Sequence, residues 1–367
     1  MLAKLSGAFS SIQKSLFPAL EEELGELSDR QREFVIVIES LNVDAFFERC
    51  NWGRGRKPSS RLSIFKAFEA KSVFGYPTTR ALIENLNMSP RLRRLCGWEY
   101  RGQIPSEATF SRAFAEFASQ NLLSQIHVGM VKDKIGDRIF CHLSRDATSI
   151  KAREKACRKK MNDKEIKKAK TKKRRGRPLK EEYREKVERR LEVQPARSWA
   201  ENLAALPKEC DWGCKRDSNG KKMSWKGYKL HLDTVDNGIP VSAVLTSASV
   251  HDSQVAIPLA QITFERITNF YDLMDSAYDA PEIHQASYQM GHVPIIDHNK
   301  RNGEKKEFDP AKTVRYKERS TAERTNSELK DNYGAQFIRV RGYAKVFAHL
   351  MFGVIALTAK QMYSMLC

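Results

Sequence analysis

The sequence predicts an α/β protein in which a mixed β-sheet is flanked by helices and follows an all-helical N-terminal domain. Apolar residues recur at helical spacing through the first hundred-odd positions, and from about residue 137 they alternate as they do in strands. Strands come first in this second part and then alternate with helices, which is typical of a mixed sheet. The 367 residues allow about two or three folded units. We expect a helical domain at 1–135 and an α/β domain at 136–367, interrupted by a basic insertion at 151–195.

The N-terminal domain is predicted to be a set of short helices joined by turns that contain glycine and proline. In one of them Phe110, Phe114 and Phe117 lie at positions i, i+4 and i+7. Thr78 and Ser106 are predicted N-caps. The predicted helices run from Arg32 to Leu41, Leu62 to Phe74, Thr78 to Leu86 and Phe110 to Leu123. Basic residues near the turns suit the recognition of DNA ends, or they are ordinary surface charges: Arg54, Arg56, Lys57, Arg91, Arg93 and Arg94.

The second part begins with strands. Between Arg138 and Asp146 the side chains alternate between two faces. Two further alternating segments, 226–234 and 239–245, flank Asp236-Asn237-Gly238, the strongest short signal for a hairpin turn. The remaining predicted elements are a helix from His251 to Glu265, a strand from Phe270 to Met274, a helix from Ala280 to Met290, a strand from Val293 to Ile296, a helix from Arg319 to Asp331 and a helix from Val346 to Met362.

The last predicted helix holds the most apolar run of the chain, Val346 to Ala359. This run contains His349 and is too short to span a membrane, so we expect a buried helix and no membrane partner. No stretch resembles a signal peptide. The seven cysteines are odd in number and scattered, which favours reduced thiols over a disulfide framework. These features predict a cytoplasmic protein.

The positive charge of the chain is concentrated in one segment. The formal net charge is +19, and residues 151–190 alone contain 20 Lys or Arg against 7 Asp or Glu. Such a polycation gains affinity for nucleic acid by releasing condensed counterions, although a charge run can also be a solvated surface. Residues 172–178, Lys-Lys-Arg-Arg-Gly-Arg-Pro, resemble an AT-hook core, an arm that lies in a narrow minor groove. We therefore predict that Arg174, Arg175 and Arg177 contact DNA.

Two aspartates stand where an α/β sheet places functional carboxylates. Asp146 ends the first predicted strand, and Asp275 directly follows the later apolar strand. Asp272 and Asp279 compete with Asp275, and any of these residues alone could be a turn or cap residue. Phosphodiester chemistry needs an activated oxygen nucleophile and a stabilised leaving oxygen, and two divalent ions can serve both. Because Mg²⁺ prefers oxygen ligands and keeps several waters, a few converging carboxylates are sufficient to hold it.

The segment from Tyr316 to Lys330 carries the most specific pattern. Tyr316, Arg319, Glu323 and Lys330 have offsets of 0, 3, 7 and 14 residues. In one helix these positions fall within an arc of about 60°. A carboxylate flanked by an aromatic ring and two cations suits a metal ion beside a DNA phosphate. Ser320 and Glu323 also fit a capping box, and in that case Glu323 would serve the start of the helix.

A family resemblance decides between these two interpretations. The segment matches every spacing of the Tyr-x2-Arg-x3-Glu-x6-Lys signature, and the chain resembles the bacterial insertion-sequence DDE transposases that carry it. Residues 225–232, 248–253 and 275–279 are similar to the catalytic domain of that family. The N-terminal part resembles the helical domain that precedes this catalytic domain. The resemblance covers roughly residues 45–360.

The resemblance implies an RNase H-like fold and a metal-dependent site. It implies that Asp146, Asp275 and Glu323 are the catalytic residues and the ligands of two Mg²⁺ ions, with Mn²⁺ as a possible substitute. Its implied partner is double-stranded DNA, both the transposon ends and the target, in the nucleoid of a bacterial cytoplasm. The DNA contacts that it implies are Tyr316, Arg319 and Lys330.

The predicted function is therefore that of a DNA transposase of an insertion sequence. Water would free a 3′-hydroxyl at the transposon end, and this hydroxyl would then attack target DNA. Because two ends must be held together, we expect a homodimer on DNA. Two alternatives stay open. One is a sequence-specific DNA-binding regulator that descends from such an enzyme and no longer cuts, and the other is a metal-dependent nuclease that cuts without joining.

Overall fold

The computed structural model of the protein describes residues 9–41, 43–47, 59–157, 188–216, 220–299, 304 and 307–365. Its first part is helical, because apolar residues at helical spacing follow residues that cap helices. The Ser28 side chain accepts from the Gln31 N–H in a capping box, and the Thr78 side chain accepts from the Ala81 N–H. The helices are α1 (Phe17–Leu24), α2 (Asp29–Ser40), α3 (Asp44–Phe47), α4 (Arg61–Val73), α5 (Thr79–Met88), α6 (Pro90–Leu95), α7 (Glu107–Ser119) and α8 (Leu122–Ile135).

The strands of the described residues form one mixed sheet, as the sequence predicts. They are β1 (Ile139–Lys151), β2 (Asp211–Arg216), β3 (Lys222–Val235), β4 (Ile239–Ser247), β5 (Thr268–Met274) and β6 (Val293–Ile296). β1 pairs antiparallel with β3 and parallel with β5, which pairs parallel with β6. β2 and β4 pair antiparallel with the edge of β3 that β1 leaves free. In the predicted hairpin turn, Asn237 and Gly238 adopt positive φ angles of 64° and 76°.

Helices cover both faces of this sheet. They are α9 (Arg190–Val193), α10 (Trp199–Ala204), α11 (Ser253–Phe264), α12 (Pro281–Gln289), α13 (Pro310–Tyr316), α14 (Ser320–Asn332) and α15 (Tyr343–Ser364). Val244 on β4 packs in a core with α11, whereas its neighbour Leu245 belongs to the core that contains α15. Since successive strand residues point to opposite faces, α11 and α15 lie on opposite sides of the sheet.

Helix α15 lies in the centre of the largest hydrophobic core. It packs against β4 and against four N-terminal helices, α2, α4, α7 and α8. The ring of Phe352 lies 5.5 Å from that of Phe65 and 5.6 Å from that of Phe68, measured between centroids. One core thus joins both parts of the chain, and the boundary near residue 135 stays a prediction. By length and composition alone α15 would suit a membrane span, but 72% of its most apolar window is buried in the fold.

The prediction that the first strand ends at Asp146 is wrong. β1 continues to Lys151, and its last parallel pair with β5 is Ser144–Leu273. Beyond that pair β1 is held by β3 alone, through a ladder that reaches Lys151–Gly227. Such a long antiparallel ladder depends on residues about eighty positions away, which the alternation within β1 cannot reveal.

A buried ion pair fixes the register of β1 against β3. Arg145 donates from Nε and Nη2 to the two carboxylate oxygens of Asp233, each at 2.7 Å, and the side chains are 2% and 0% exposed. The two residues are direct partners across the ladder. Thr263 on α11 donates a further hydrogen bond of 2.6 Å to Asp233. Because Arg145 points toward α11, the next residue, Asp146, points to the opposite face, toward α14.

Replacing Arg145 with Met is expected to destabilise the protein by about 3–5 kcal/mol, because Asp233 is left buried without its partner. The double variant Arg145→Met/Asp233→Leu should recover most of this loss, since it removes both charges. Urea unfolding measures each free energy. The exposed Arg80→Met serves as the control, with little expected change. A double variant as unstable as the single one would contradict this account.

Glu69 on α4 is an unusual buried acid. Its side chain is 0% exposed, and neither carboxylate oxygen has a hydrogen-bond partner within the described ranges. Burial raises the pKa of Glu69 well above its ordinary value. Such an acid lowers the free energy of unfolding as the pH rises from the unfolded-state pKa of about 4.3 toward the higher folded-state pKa, because only the unfolded chain ionises easily in that range.

We therefore expect Glu69→Gln to become increasingly more stable than the unmodified protein as the pH rises above about 5. The gap in the free energy of unfolding should grow by up to about 1.4 kcal/mol per pH unit until the folded-state pKa is reached. Denaturant unfolding at several pH values measures it. The exposed Glu84→Gln on α5 should follow the unmodified protein at every pH. Parallel curves for Glu69→Gln would show that this carboxyl does not titrate with folding.

Candidate active site

Asp146 lies where β1 parts from β5. It is two residues beyond the last parallel pair of these strands, and its partner on β3 is Leu232. The side chain is partly exposed at this edge of the sheet. Burial raises the pKa of Asp146 to about 6, and the negative charge of Asp275 adds to the rise. The two aspartates that the sequence singles out are therefore electrostatic neighbours.

Asp275 directly follows β5, as predicted. Its Oδ1 atom accepts from the Ala277 N–H at 2.9 Å, which starts the 3₁₀ turn Ser276–Tyr278. Burial raises the pKa of Asp275, and the charge of Asp252 acts in the same direction. This residue therefore combines the turn role that short acids often have with a place next to a second carboxylate.

The two rival aspartates have other partners. Asp272 is 1% exposed, accepts from Asn269 Nδ2 at 2.9 Å and lies 3.3 Å from His292 Nδ1. Asp279 accepts from the Asn299 N–H at 2.9 Å. Both carboxylates are used inside the fold, so Asp275 is the best candidate of the three.

Helix α14 brings Glu323 to the same edge of the sheet. Asn326 on this helix donates from Nδ2 to Oδ2 of Asp146 at 2.8 Å. Ser144 Oγ donates to the carbonyl oxygen of Glu318, just before the helix, at 3.3 Å. Since Glu323 precedes Asn326 by three residues, the two lie on one helix face about a turn apart. The hydrogen bond to Asp146 thus docks the face that carries Glu323 against the aspartates.

Glu323 does not cap its helix. The N-cap position is occupied by Arg319 in a helical conformation, without a side-chain cap hydrogen bond, so the predicted alternative of a capping box with Ser320 is absent. Instead, Arg319 Nη2 donates to Glu323 Oε1 at 2.7 Å. The Glu323 side chain is 55% exposed. Its carboxylate is therefore paired with an arginine at the surface and has room to turn.

The three predicted DNA contacts of this segment share its helical path. α13, the 3₁₀ turn Lys317–Arg319 and α14 follow one another with helical backbone angles, so the predicted single face is largely kept. The Arg319 guanidinium lies 5.6 Å from the ring centroid of Tyr316. Burial lowers the pKa of Lys330, and the charge of Lys215 lowers it further. Contact of these residues with DNA stays a prediction.

The donor chemistry of the site fits a hard divalent cation, while the third carboxylate is not in place. Burial raises the pKa of Asp146 and of Asp275, and the charge of Asp275 adds to the rise at Asp146; a bound cation would favour the ionised form of both carboxylates. Among the residues that the structure describes, no set of three His, Cys, Asp or Glu side chains converges to hold a metal ion. Asp146 and Asp275 would hold such an ion. Glu323 would join them if its carboxylate left Arg319 and bound the ion instead.

Two polar residues at this edge are absent from the sequence-based predictions. Asn326 is 5% exposed, and the only sequence signal for it is a polar residue one turn after Glu323. Asp252 accepts from Lys229 Nζ at 2.8 Å, and the same ammonium donates to the Val250 carbonyl at 2.8 Å. Asp252 lies in a segment that resembles the family, but nothing in its local pattern connects it with Asp275.

The predicted basic contacts elsewhere have mixed outcomes. Arg93 is 7% exposed and donates to the carbonyl oxygens of Leu86 and Glu99, each at 3.2 Å, so its guanidinium serves the packing of the helices. Arg94 pairs with Glu99 at 3.0 Å. The predicted DNA contacts Arg174, Arg175 and Arg177 lie outside the described residues, as do three basic residues whose role the sequence leaves open: Arg54, Arg56 and Lys57.

Comparisons with known proteins point to one family. A family model described as "Transposase DDE domain" matches residues 139–359, and another described as "Transposase domain (DUF772)" matches residues 20–116. No curated protein and no solved structure matches the chain. The first match covers more than half of the chain, from β1 through α14 into α15. The chain therefore belongs to the insertion-sequence DDE transposases, a family with an RNase H-like catalytic domain that generally uses divalent metal ions.

Proposed function

We propose that this transposase cleaves the ends of its insertion sequence and joins them to target DNA at a site formed by Asp146, Asp275 and Glu323. The observation that carries the proposal is the 2.8 Å hydrogen bond from Asn326 to Asp146. It brings the helix of Glu323 against the strand edge where the two aspartates interact. This contact supports a site to which three distant segments of the chain each contribute one acidic residue.

We further propose that these three residues hold two Mg²⁺ ions, for which Mn²⁺ can substitute. Bound there, the ions would activate the oxygen nucleophile and stabilise the leaving oxygen. All three side chains offer oxygen atoms alone, which is the donor type that Mg²⁺ prefers.

Arg319 is suited to couple DNA binding to the completion of this site. Its guanidinium pairs with Glu323 at 2.7 Å and stacks near Tyr316. A DNA phosphate is a strong bidentate partner for arginine. A phosphate that takes Arg319 would release the Glu323 carboxylate toward the two aspartates. Lys330, farther along the helix, would add a point charge for a neighbouring phosphate.

The reaction consists of two phosphoryl transfers. In the first, the oxygen of water bonds to phosphorus at the transposon end, while the bond to the 3′-oxygen breaks and that oxygen takes up a proton. In the second, the new 3′-hydroxyl attacks a target phosphate and loses its proton, and a 3′-oxygen of the target leaves. Because two ends must be joined to one target, we propose a homodimer on DNA, at the nucleoid of a bacterial cytoplasm.

Asp146→Asn, Asp275→Asn and Glu323→Gln are each expected to abolish Mg²⁺-dependent cleavage while DNA binding is kept, because each removes a charged metal ligand. The substrate is the duplex that flanks the gene of this chain on both sides, and gel assays follow cleavage, strand transfer and binding. The exposed Asp137→Asn is the matched control, and removal of the metal by a chelator should stop cleavage. Cleavage by any of the three variants would refute that residue's role.

The same assay distinguishes the other candidate functions. Binding without cleavage by the unmodified protein, with Mg²⁺ and with Mn²⁺, would identify a regulator that no longer cuts. In that case, the salt bridge from Arg319 to Glu323 would explain why the protein does not cut. Cleavage without strand-transfer products would identify a nuclease.

Asn326→Leu is expected to reduce cleavage by roughly 10- to 100-fold, which is typical for residues that orient metal ligands. Because the loss acts through the position of Asp146, a higher Mg²⁺ concentration should restore part of the rate. Titration of the cleavage rate with Mg²⁺ measures this effect. The neighbouring, exposed Ser327→Ala should leave the titration unchanged. An unchanged Mg²⁺ dependence in Asn326→Leu would limit the residue to a role in helix packing.

A further inference from the structure

We propose that a basic ribbon, formed by β2 (Asp211–Arg216) and the first part of β3 (222–226), binds duplex DNA beside the active site. The proposal rests on the proposed function, because it names the surface that holds the substrate of that site. Neither strand β2 nor its side chains belong to the signature from which the catalytic site is inferred.

The ribbon extends the sheet from the end of β1. Gly227 pairs with Lys151 of β1 on one side and with Asp211 of β2 on the other. Beyond this point β2 and β3 continue as a two-stranded antiparallel ribbon, with Trp212 opposite Lys226. In the part of the chain that the structure describes, the ribbon beyond Gly227 pairs with no further strand. Two-stranded ribbons of this kind fit the major groove of B-DNA.

The ribbon exposes large apolar side chains while its inner face is packed. Trp212 is 60% exposed and Met223 is 48% exposed, whereas Trp225 is 6% exposed. A Cβ atom on Gly213 would lie 2.5 Å from the Trp225 ring, so glycine lets β2 approach that ring closely. An exposed indole among cations can make apolar contacts in the major groove, such as with thymine methyl groups, while the cations bind phosphates.

The two strands of the ribbon carry an excess of positive charge. Residues 211–216 and 222–226 together contain four Lys or Arg against one Asp. Lys215 and Lys222 are exposed, and no described carboxylate forms an ion pair with either. The positive charges of Lys215 and of Lys151, at the end of β1, repel that of Lys330 on α14 and help to lower the pKa of Lys330. A row of phosphates would relieve this repulsion.

The position of Lys215 and Lys330 relative to the active site determines which phosphates of the bound DNA they can contact. Lys330 interacts electrostatically with both Lys215 and Asp146. Such interactions fade beyond a Debye length of about 10 Å. The ribbon is therefore placed to contact phosphates on the same stretch of duplex as the scissile phosphate.

The test is the salt dependence of binding to the duplex that flanks the gene of this chain. Each lost phosphate contact should make the slope of log K against log salt shallower by about 0.9, so Lys215→Gln/Lys222→Gln should change it by about 2. Trp212→Ala should weaken binding by about 10-fold, whereas Trp212→Phe, which keeps an aromatic ring, should lose much less. Thermal unfolding confirms that each variant is folded.

The matched control is Lys14→Gln/Lys132→Gln, which removes two exposed lysines outside the α/β part. The basic segment at 151–190 is unchanged in every variant, so its contribution cancels. If the unmodified protein neither binds nor cleaves this DNA, the proposed function itself fails. If it does both, and the ribbon variants keep the slope and affinity of the control, the ribbon is not a DNA contact and this inference is wrong.

Discussion

The pairing of Arg145 with Asp233 is the interaction on which the active site depends. In a strand, a shift of one residue exchanges the two faces. Such a shift of β1 would turn Asp146 toward α11 and would leave Asp233 without its cation in the interior. The buried pair makes this alternative register costly, because an isolated buried charge is strongly unfavourable. The position of Asp146, the proposed catalytic carboxylate, is thus secured by the neighbouring residue on the opposite face.

Charge balance also explains why Glu323 pairs with Arg319 in this structure. Asp146, Asp275 and Asp252 lie close enough to influence one another, and Lys229 and Arg319 supply the nearby cations. Arg319 does so while holding Glu323 by a salt bridge at the helix surface. Protein side chains alone thus balance part of the acidic charge at this edge of the sheet. In the proposed function, Glu323 would have to leave Arg319 before it could act with the two aspartates.

Much of the α/β part could be predicted from the sequence because its signals are local. The turn at Asp236–Gly238, the strand before Asp275 and the helix of Glu323 all follow from short patterns of residues. The extension of β1 beyond Asp146 and the bond from Asn326 could not be predicted, since they depend on pairing between distant segments. β2 was missed because its short run of polar and small residues shows no apolar alternation.

The packing of α15 against the N-terminal helices has a consequence for biosynthesis. The ring of Phe352 on α15 lies within 6.2 Å of the rings of Phe65, Phe68 and Phe114, measured between centroids, so the N-terminal helices pack around a segment that is synthesised long after them. During translation the aromatic side chains of these helices stay uncovered until α15 has emerged from the ribosome. A message that stops early would yield a product without this central helix, and such a fragment would be prone to aggregate or to be degraded. The arrangement thus disfavours the survival of shortened copies that lack α15.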